Sequence, residues 1–201
     1  MAVLSAQTIE RLKVIQPCLR PSPDSQGNTR GLSACGYDLR LTEGVRVTSL
    51  PRAVVHLFVS AVFLGVTKYD ASREMSFLVG LDITCALVFA ILGLYGVANA
   101  FKLAGASEYF NLPANVVGRV HDKSSLARRG LAVQNTVAEP GWHGHLTLEL
   151  SNHGWKSIKL EAGDAVAQVL FEFLDEPTDR PYDGKYQGQE RGPVAHRRKD
   201  T

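Results

Sequence analysis

Apolar and polar residues alternate with a period of two through most of the chain. GYDLRL (36–41) and GVRVTSL (44–50) do so early, and FKLAGASEYFNLP (101–113) and NVVGRVHDK (115–123) resume the style later. Successive side chains of a strand leave opposite faces of a sheet, so this alternation predicts half-buried strands. HGHLTLELSNHG (143–154) is the cleanest case: Leu146, Leu148 and Leu150 share one face, and Thr147, Glu149 and Ser151 the other. SIKLEAGDAVAQVLFEFLDEP (157–177) predicts two more strands around Ala162-Gly163. Short strands punctuated closely by Gly and Pro predict a mainly β barrel or sandwich. One short helix is expected near the start, where Ser5 stands as cap before the amphipathic Thr8-Ile9-Glu10-Arg11-Leu12 run. PCLRPSPDSQGNTRG (17–31) predicts a loop.

The segment at about 51–100 breaks the pattern. AVVHLFVSAVFLGV (53–66) is almost wholly apolar, and FLVGLDITCALVFAILGLYGVANAF (77–101) is longer, with Asp82 its only charge. The polar stretch TKYDASREMS joins them, so a helical apolar hairpin inserted into the β framework is expected. About 20 apolar residues suffice to cross a bilayer, which the second run reaches and the first does not. Three arrangements stay open: membrane contact through residues 53–101, packing on the barrel or a partner subunit, or an insertion that folds poorly and disables the protein. Asp82 weighs against the first, because a charge inside a bilayer is costly. Basic residues flank both ends and the connecting loop, so charge asymmetry gives no orientation.

Composition narrows the function classes. The 201 residues suit a single domain, 1–201, interrupted at about 51–100. The 22 Lys and Arg residues against 20 Asp and Glu leave a formal charge of +2, not the basic excess of a nucleic-acid binder. The terminal His196-Arg197-Arg198-Lys199 run is the usual composition of a solvated end. Cys18, Cys35 and Cys85 lie far apart without a CxxC pair, against a disulfide framework or a cysteine zinc site and in keeping with a reducing cytoplasm. MAVLSAQTIERL lacks the basic-then-apolar order of a signal peptide, so a cytoplasmic protein is expected, with membrane association through the insertion left open.

The stretch HDKSSLARRG (121–130) carries the densest chemistry. It reads either as a solvated helix start, with Ser124 or Ser125 as N-cap, or as an anion site built from hydroxyls, backbone N–H groups and an Arg fork. Elsewhere the β segments supply Asp38, Glu139, Glu149 and Gln168, and the Gly-punctuated tail PYDGKYQGQ supplies Tyr182, Lys185, Tyr186 and Gln189. His143 and His145 share a strand face and form half a metal chelate, but no third ligand accompanies them. The His/Cys-x-Glu and Pro-Cys-x-x-Cys segments of the zinc deaminases are missing from the sequence.

Taken in order, SACGYDLRL, NLPANVVGRVHDKSSLARRGL, EPGWHGHLTLELSNHG, GDAVAQVLF and PYDGKYQGQ resemble the motifs of the dUTPase and dCTP deaminase superfamily, most closely its dCTP deaminase branch. The match covers residues 1 to about 49 and about 101 to 201. The resemblance implies a dUTPase-like distorted β-barrel (a β-clip) with a short N-terminal helix, a homotrimer with sites between subunits, and a C-terminal arm (177–201) closing over the nucleotide. It implies hydrolysis of dCTP to dUTP and ammonia by a zinc-independent centre, with Mg²⁺ carried by the triphosphate.

Residue roles follow from the same resemblance. Glu149 is the general base, and Arg128 orients water or balances charge beside it. Lys123, Ser124, Ser125, Leu126, Ala127 and Arg128 line the triphosphate, Glu139 the deoxyribose, and Thr147 and Leu148 the base edge; Tyr182, Lys185 and Gln189 close the site. One carboxylate can take a proton from the attacking water and return it to the leaving amine when its pKa lies near neutrality. Three departures bear on substrate choice: Lys123 stands where many relatives carry Arg, Glu139 where Asp is usual, and the AVQNTVAEP loop is about two residues short. Asp38 resembles the first dUTPase motif, so dUTP hydrolysis to dUMP and pyrophosphate is the alternative, and non-catalytic nucleotide binding a second.

Overall fold

The apolar faces of the alternating segments close on one another around Tyr37, Leu39, Leu41, Phe110, Leu148, Leu150, Val169 and Phe171, all at most 1% exposed. The structure, a computed structural model, describes residues 2–49 and 100–195. It is mainly β, as the alternation predicts. The first half runs β1 (Ala2–Val3), α1 (Ala6–Leu12), β2 (Ile15–Gln16), β3 (Ser22–Pro23), β4 (Thr29–Leu32), β5 (Tyr37–Arg40) and β6 (Val45–Val47). The second half runs β7 (Phe101–Asn111), β8 (Val116–Asp122), α2 (Ser124–Ala127), β9 (Leu131–Val133), β10 (Val137–Ala138), β11 (His143–Asn152), β12 (Ile158–Leu160) and β13 (Ala165–Phe173).

One sheet has the order β10-β8-β13-β5-β4-β3, with β1 also on β13; a second has β2-β7-β11-β9, and β12 pairs with β6. All of the paired strands are antiparallel. The two larger sheets are joined through a bulge in β7. His145 pairs with Tyr109 but Thr147 with Gly105, so β7 carries surplus residues between those points. The surplus turns toward β5: Ala106 bridges Leu41, Ser107 donates to the Leu41 carbonyl at 2.9 Å, and Glu108 meets Arg40. Leu146 sits at the same irregularity and is only partly buried, whereas Leu148 and Leu150 are fully so.

Three local expectations are corrected. Residues 17–31 are not all loop: Ser22 and Pro23 pair with Arg30 and Thr29, and the Asp24 carboxylate closes the turn by accepting from the Gln26 and Asn28 N–H groups at 2.9 and 2.8 Å. Ser5 does stand before α1, but its hydroxyl lies 3.2 Å from the Thr8 hydroxyl and makes no side-chain cap to the backbone. Neither Ser124 nor Ser125 caps α2; Lys123 holds that position, because its carbonyl receives the Leu126 and Ala127 N–H groups at 2.9 Å. The apolar block expected as a helical hairpin lies outside the described residues. Among the described residues no helix is long and apolar enough to cross a membrane.

Candidate active site

β11 is the floor of the site. Its alternation buries Leu148 and Leu150 and turns Thr147 and Glu149 the other way, into a cavity of about 590 Å³. That volume lies within the usual range for small-molecule sites. The same cavity is lined by Glu139, Trp142, Tyr182, Tyr186 and Gln189, so five of the residues expected at the site converge there: Glu139, Thr147, Glu149, Tyr182 and Gln189. Leu148 lies beneath them in the core. Lys185 does not line the cavity; its ammonium lies 4.9 Å from the centroid of the Tyr186 ring.

The C-terminal arm forms the roof. Gln189 runs beside Gly144, with the His145 N–H donating to the Gln189 carbonyl at 2.8 Å and the Gly188 N–H to the His143 carbonyl at 2.9 Å. Gly144 is required here: its φ is +138°, and a Cβ would lie 2.6 Å from the Gln189 nitrogen. The Trp142 indole N–H donates to the Tyr186 carbonyl at 2.9 Å, and Gln187 ties the arm to Gly141, Tyr182 and His143. At its far end the arm turns inward, so that the Gln189 amide and the Val194 N–H both donate to the Thr147 hydroxyl, at 2.5 and 2.9 Å.

Asn135 holds the edge of β11 in the same cavity. Its amide nitrogen donates to the Thr147 carbonyl at 2.7 Å, and its oxygen accepts the Glu149 N–H at 3.0 Å. The Gln134 N–H supplies the Glu149 carbonyl at 2.9 Å. The sequence offered no sign of Asn135 beyond an unremarkable polar loop residue.

The other half of the expected site lies elsewhere on the chain. Arg128 and Ala127 line a second, separate cavity with Arg129, Trp155 and Lys156. Ser124 is exposed and Leu126 buried at 1%. The Ser125 hydroxyl oxygen is buried without a hydrogen-bond partner, a costly state for a hydroxyl. Lys123, expected on phosphate, instead points inward: its ammonium lies 2.9 Å from the Asp38 carboxylate, and the two side chains are 10% and 5% exposed. Burial pushes the Asp38 carboxyl above the usual carboxylate range, against the opposing pull of Lys123. His143 and His145 flank the arm. The His145 ring packs edge-on against Tyr109 at 5.4 Å and leaves its Nδ1 buried and unpartnered. Among the described residues no three His, Cys, Asp or Glu side chains converge as a metal cage.

A family model described as dCTP deaminase-like matches residues 93–174. A dCTP deaminase of Chlamydia abortus is 31% identical over 189 residues, covering 88% of this chain and 87% of its own. One from Azotobacter vinelandii is 33% identical over 186 residues, covering 88% of both. Among solved structures, the 2′-deoxycytidine 5′-triphosphate deaminase of Agrobacterium tumefaciens aligns over 85% of this chain and 48% of its own, with 16% identity and a TM-score of 0.49. The identity to the two curated enzymes extends over nearly nine-tenths of their lengths as well as of this one, and the chain belongs to the dCTP deaminase family.

Proposed function

We propose that the protein hydrolyses dCTP to dUTP and ammonia, with Glu149 as general base and then general acid. The observation that carries this reading is the meeting of Glu149, Thr147, Glu139, Tyr182 and Gln189 in one cavity under the C-terminal arm. Water attacks C4 of the cytosine ring and gives one proton to Glu149, which passes it to ring N3, leaving a neutral tetrahedral centre. Glu149 then takes the proton of the new C4 hydroxyl and delivers it to the exocyclic amine, the C4–N bond breaks, and ammonia leaves as the C4 carbonyl forms and N3 keeps its hydrogen. Mg²⁺ enters as the counter-ion of the triphosphate, part of the substrate. Zinc has no place in this scheme, since the carboxylate activates the water.

The wall of Ser124, Ser125 and Arg128 is supplied by a second copy of the chain. One observation supports this: these residues do not line the Glu149 cavity. A cyclic homotrimer would present that wall to a neighbour's Glu149 three times over. Arg128 then stands opposite the reacting end, where a permanently charged group steadies the tetrahedral centre. Lys123 acts through Asp38, holding the turn before α2 in place, and contributes its charge to the phosphates from behind that turn.

Purified protein given dCTP and Mg²⁺ should release ammonia and accumulate dUTP. Glu149→Gln should retain nucleotide binding and lose turnover. Appearance of dUMP and pyrophosphate, or turnover that survives Glu149→Gln, would remove this reading.

A further inference from the structure

β9 pairs with β11 only from Asn152 to Leu150; the pairing then ends and the chain departs to join β8 as β10. Were nothing to replace β9, the β11 backbone at Thr147 and Glu149 would open directly onto the cavity. The amide of Asn135 fills that gap. It presents a donor to the Thr147 carbonyl and an acceptor to the Glu149 N–H, as a peptide group of a neighbouring strand would. Only Asn and Gln side chains carry a donor and an acceptor in this planar form, and Asn reaches with a single methylene. Gln134 completes the fixation on the same edge of β11 through the Glu149 carbonyl.

We infer that Asn135 is a positioning residue for Glu149, an inference that rests on the deaminase reading above. The clamp holds the backbone on both sides of Leu148, whose side chain is fully buried and cannot shift. The Glu149 carboxylate therefore leaves a backbone that is fixed at its N–H, at its carbonyl and two residues earlier on the strand, at Thr147. A general base must lie within hydrogen-bond reach of its proton, and misplacement by about 1 Å can lower the rate by about 100-fold. Both polar atoms of the Asn135 amide are taken by the β11 backbone, so it acts by fixing the origin from which the carboxylate reaches the reacting atoms. The same contact fixes Thr147, so base edge and general base keep a constant separation.

The experiment compares the full chain with its Asn135→Ala and Asn135→Asp variants. For Asn135→Ala, kcat for dCTP should fall by about 10- to 100-fold, with the dCTP dissociation constant changed by less than about threefold. Equal losses in kcat and in binding, or an unchanged kcat, would overturn the proposal. Amide hydrogen exchange supplies a readout that needs no activity. In Asn135→Ala the Glu149 amide should exchange at least about 10-fold faster, while Leu148, Leu150 and the β13 amides keep their protection. Asn135→Asp retains the acceptor, so the Glu149 amide should stay protected there. Unaltered exchange at Glu149 in Asn135→Ala overturns the clamp whatever the enzyme does. If the wild type releases no ammonia from dCTP, the functional reading fails by itself, and the exchange measurement still decides whether Asn135 holds Glu149.

Discussion

Replacing Glu108 by Gln should cost the fold about 3 kcal/mol, the low end of the range for breaking a buried ion pair. Glu108 is fully buried on the bulged stretch of β7, and both of its oxygens are used by one residue. Oε1 lies 2.6 Å from Arg40 Nε, and Oε2 accepts the Arg40 backbone N–H at 3.0 Å. Charges at that separation attract by about 6 kcal/mol at an effective dielectric constant of about 20, against which the desolvation of both groups must be set. Burial wins part of that contest, holding the Glu108 carboxyl above the usual carboxylate range despite Arg40. Gln keeps the shape but offers one acceptor where two donors arrive, so one contact becomes donor against donor. Arg40 retains 16% exposure and recovers some hydration, which is why the low end is expected. Urea unfolding followed by fluorescence of buried Trp142 measures the loss, and the melting temperature should drop by about 6–12 °C. Joint replacement by Arg40→Met and Glu108→Leu should restore most of the stability, since no charge is then left buried. A loss below about 1 kcal/mol in Glu108→Gln would refute the argument that this pair joins the two sheets.

Further tests follow from the site and its charges. Glu149→Gln and Arg128→Ala, each inactive alone, should regain about one quarter of wild-type turnover when co-expressed equally, because a site then needs one chain of each kind in cyclic order; no recovery would place both groups in one chain. Gly144→Ala should push the arm from β11 through its clash with Gln189 and raise the KM for dCTP by about 10-fold, equivalent to about 1.4 kcal/mol, with faster proteolysis after Pro181. Denaturation midpoints against pH should show two opposite trends. Burial would raise the Asp164 carboxyl, but hydrogen bonds from Ser25, the Glu161 N–H and Gln26 hold it below its ordinary value, so its stabilisation is present above that value and fades as pH falls through the lowered one. Glu108 and Asp38 are held high, so each costs stability as pH rises from the ordinary carboxylate value through the raised one. Glu108→Leu in the Arg40→Met background should remove its share of that loss. Fractionation of the expressed chain addresses the block at 51–100: recovery with the membrane pool, released only by detergent, is the outcome for bilayer contact, and a soluble trimer that for packing on protein.

The parts of the fold that were legible in the sequence are those fixed by residues close in the chain. Alternation alone located β5, β7, β8, β11 and β13, because the period of the pleat needs no knowledge of the partner strand. The same alternation carries a further signal. Ala104, Ala106, Glu108 and Phe110 are in phase and all buried, so the phase of β7 already placed a carboxylate in the core. What it could not supply was Arg40, 68 residues away, which makes that burial tolerable. The hairpin of β3 and β4 escaped notice for another reason: two-residue pairing around Asp24 has too few positions to show a period.

At the candidate site the same division holds, and it separates roles from geometry. The resemblance of motifs picked out Glu139, Thr147, Glu149, Tyr182 and Gln189, which share a cavity. It assigned Lys123 by its place in a basic, hydroxyl-rich run, where only the three-dimensional path of β5 reveals the Asp38 carboxylate waiting 2.9 Å from the ammonium. Asn135 was invisible for a deeper reason. Its use depends on β9 leaving β11 one residue earlier, and strand departure is set by the pairing of β10 with β8 in the other sheet. The loop between β9 and β10 crosses between the sheets and offers the Thr147 carbonyl and the Glu149 N–H a side-chain amide rather than a strand backbone. A side-chain amide in that loop restores the missing donor and acceptor where the general base is anchored. The crossing loop and the Asn135 clamp are thus one feature, and an insertion of two residues that lets β9 continue along β11 should make Asn135→Ala nearly silent in the Glu149 amide exchange.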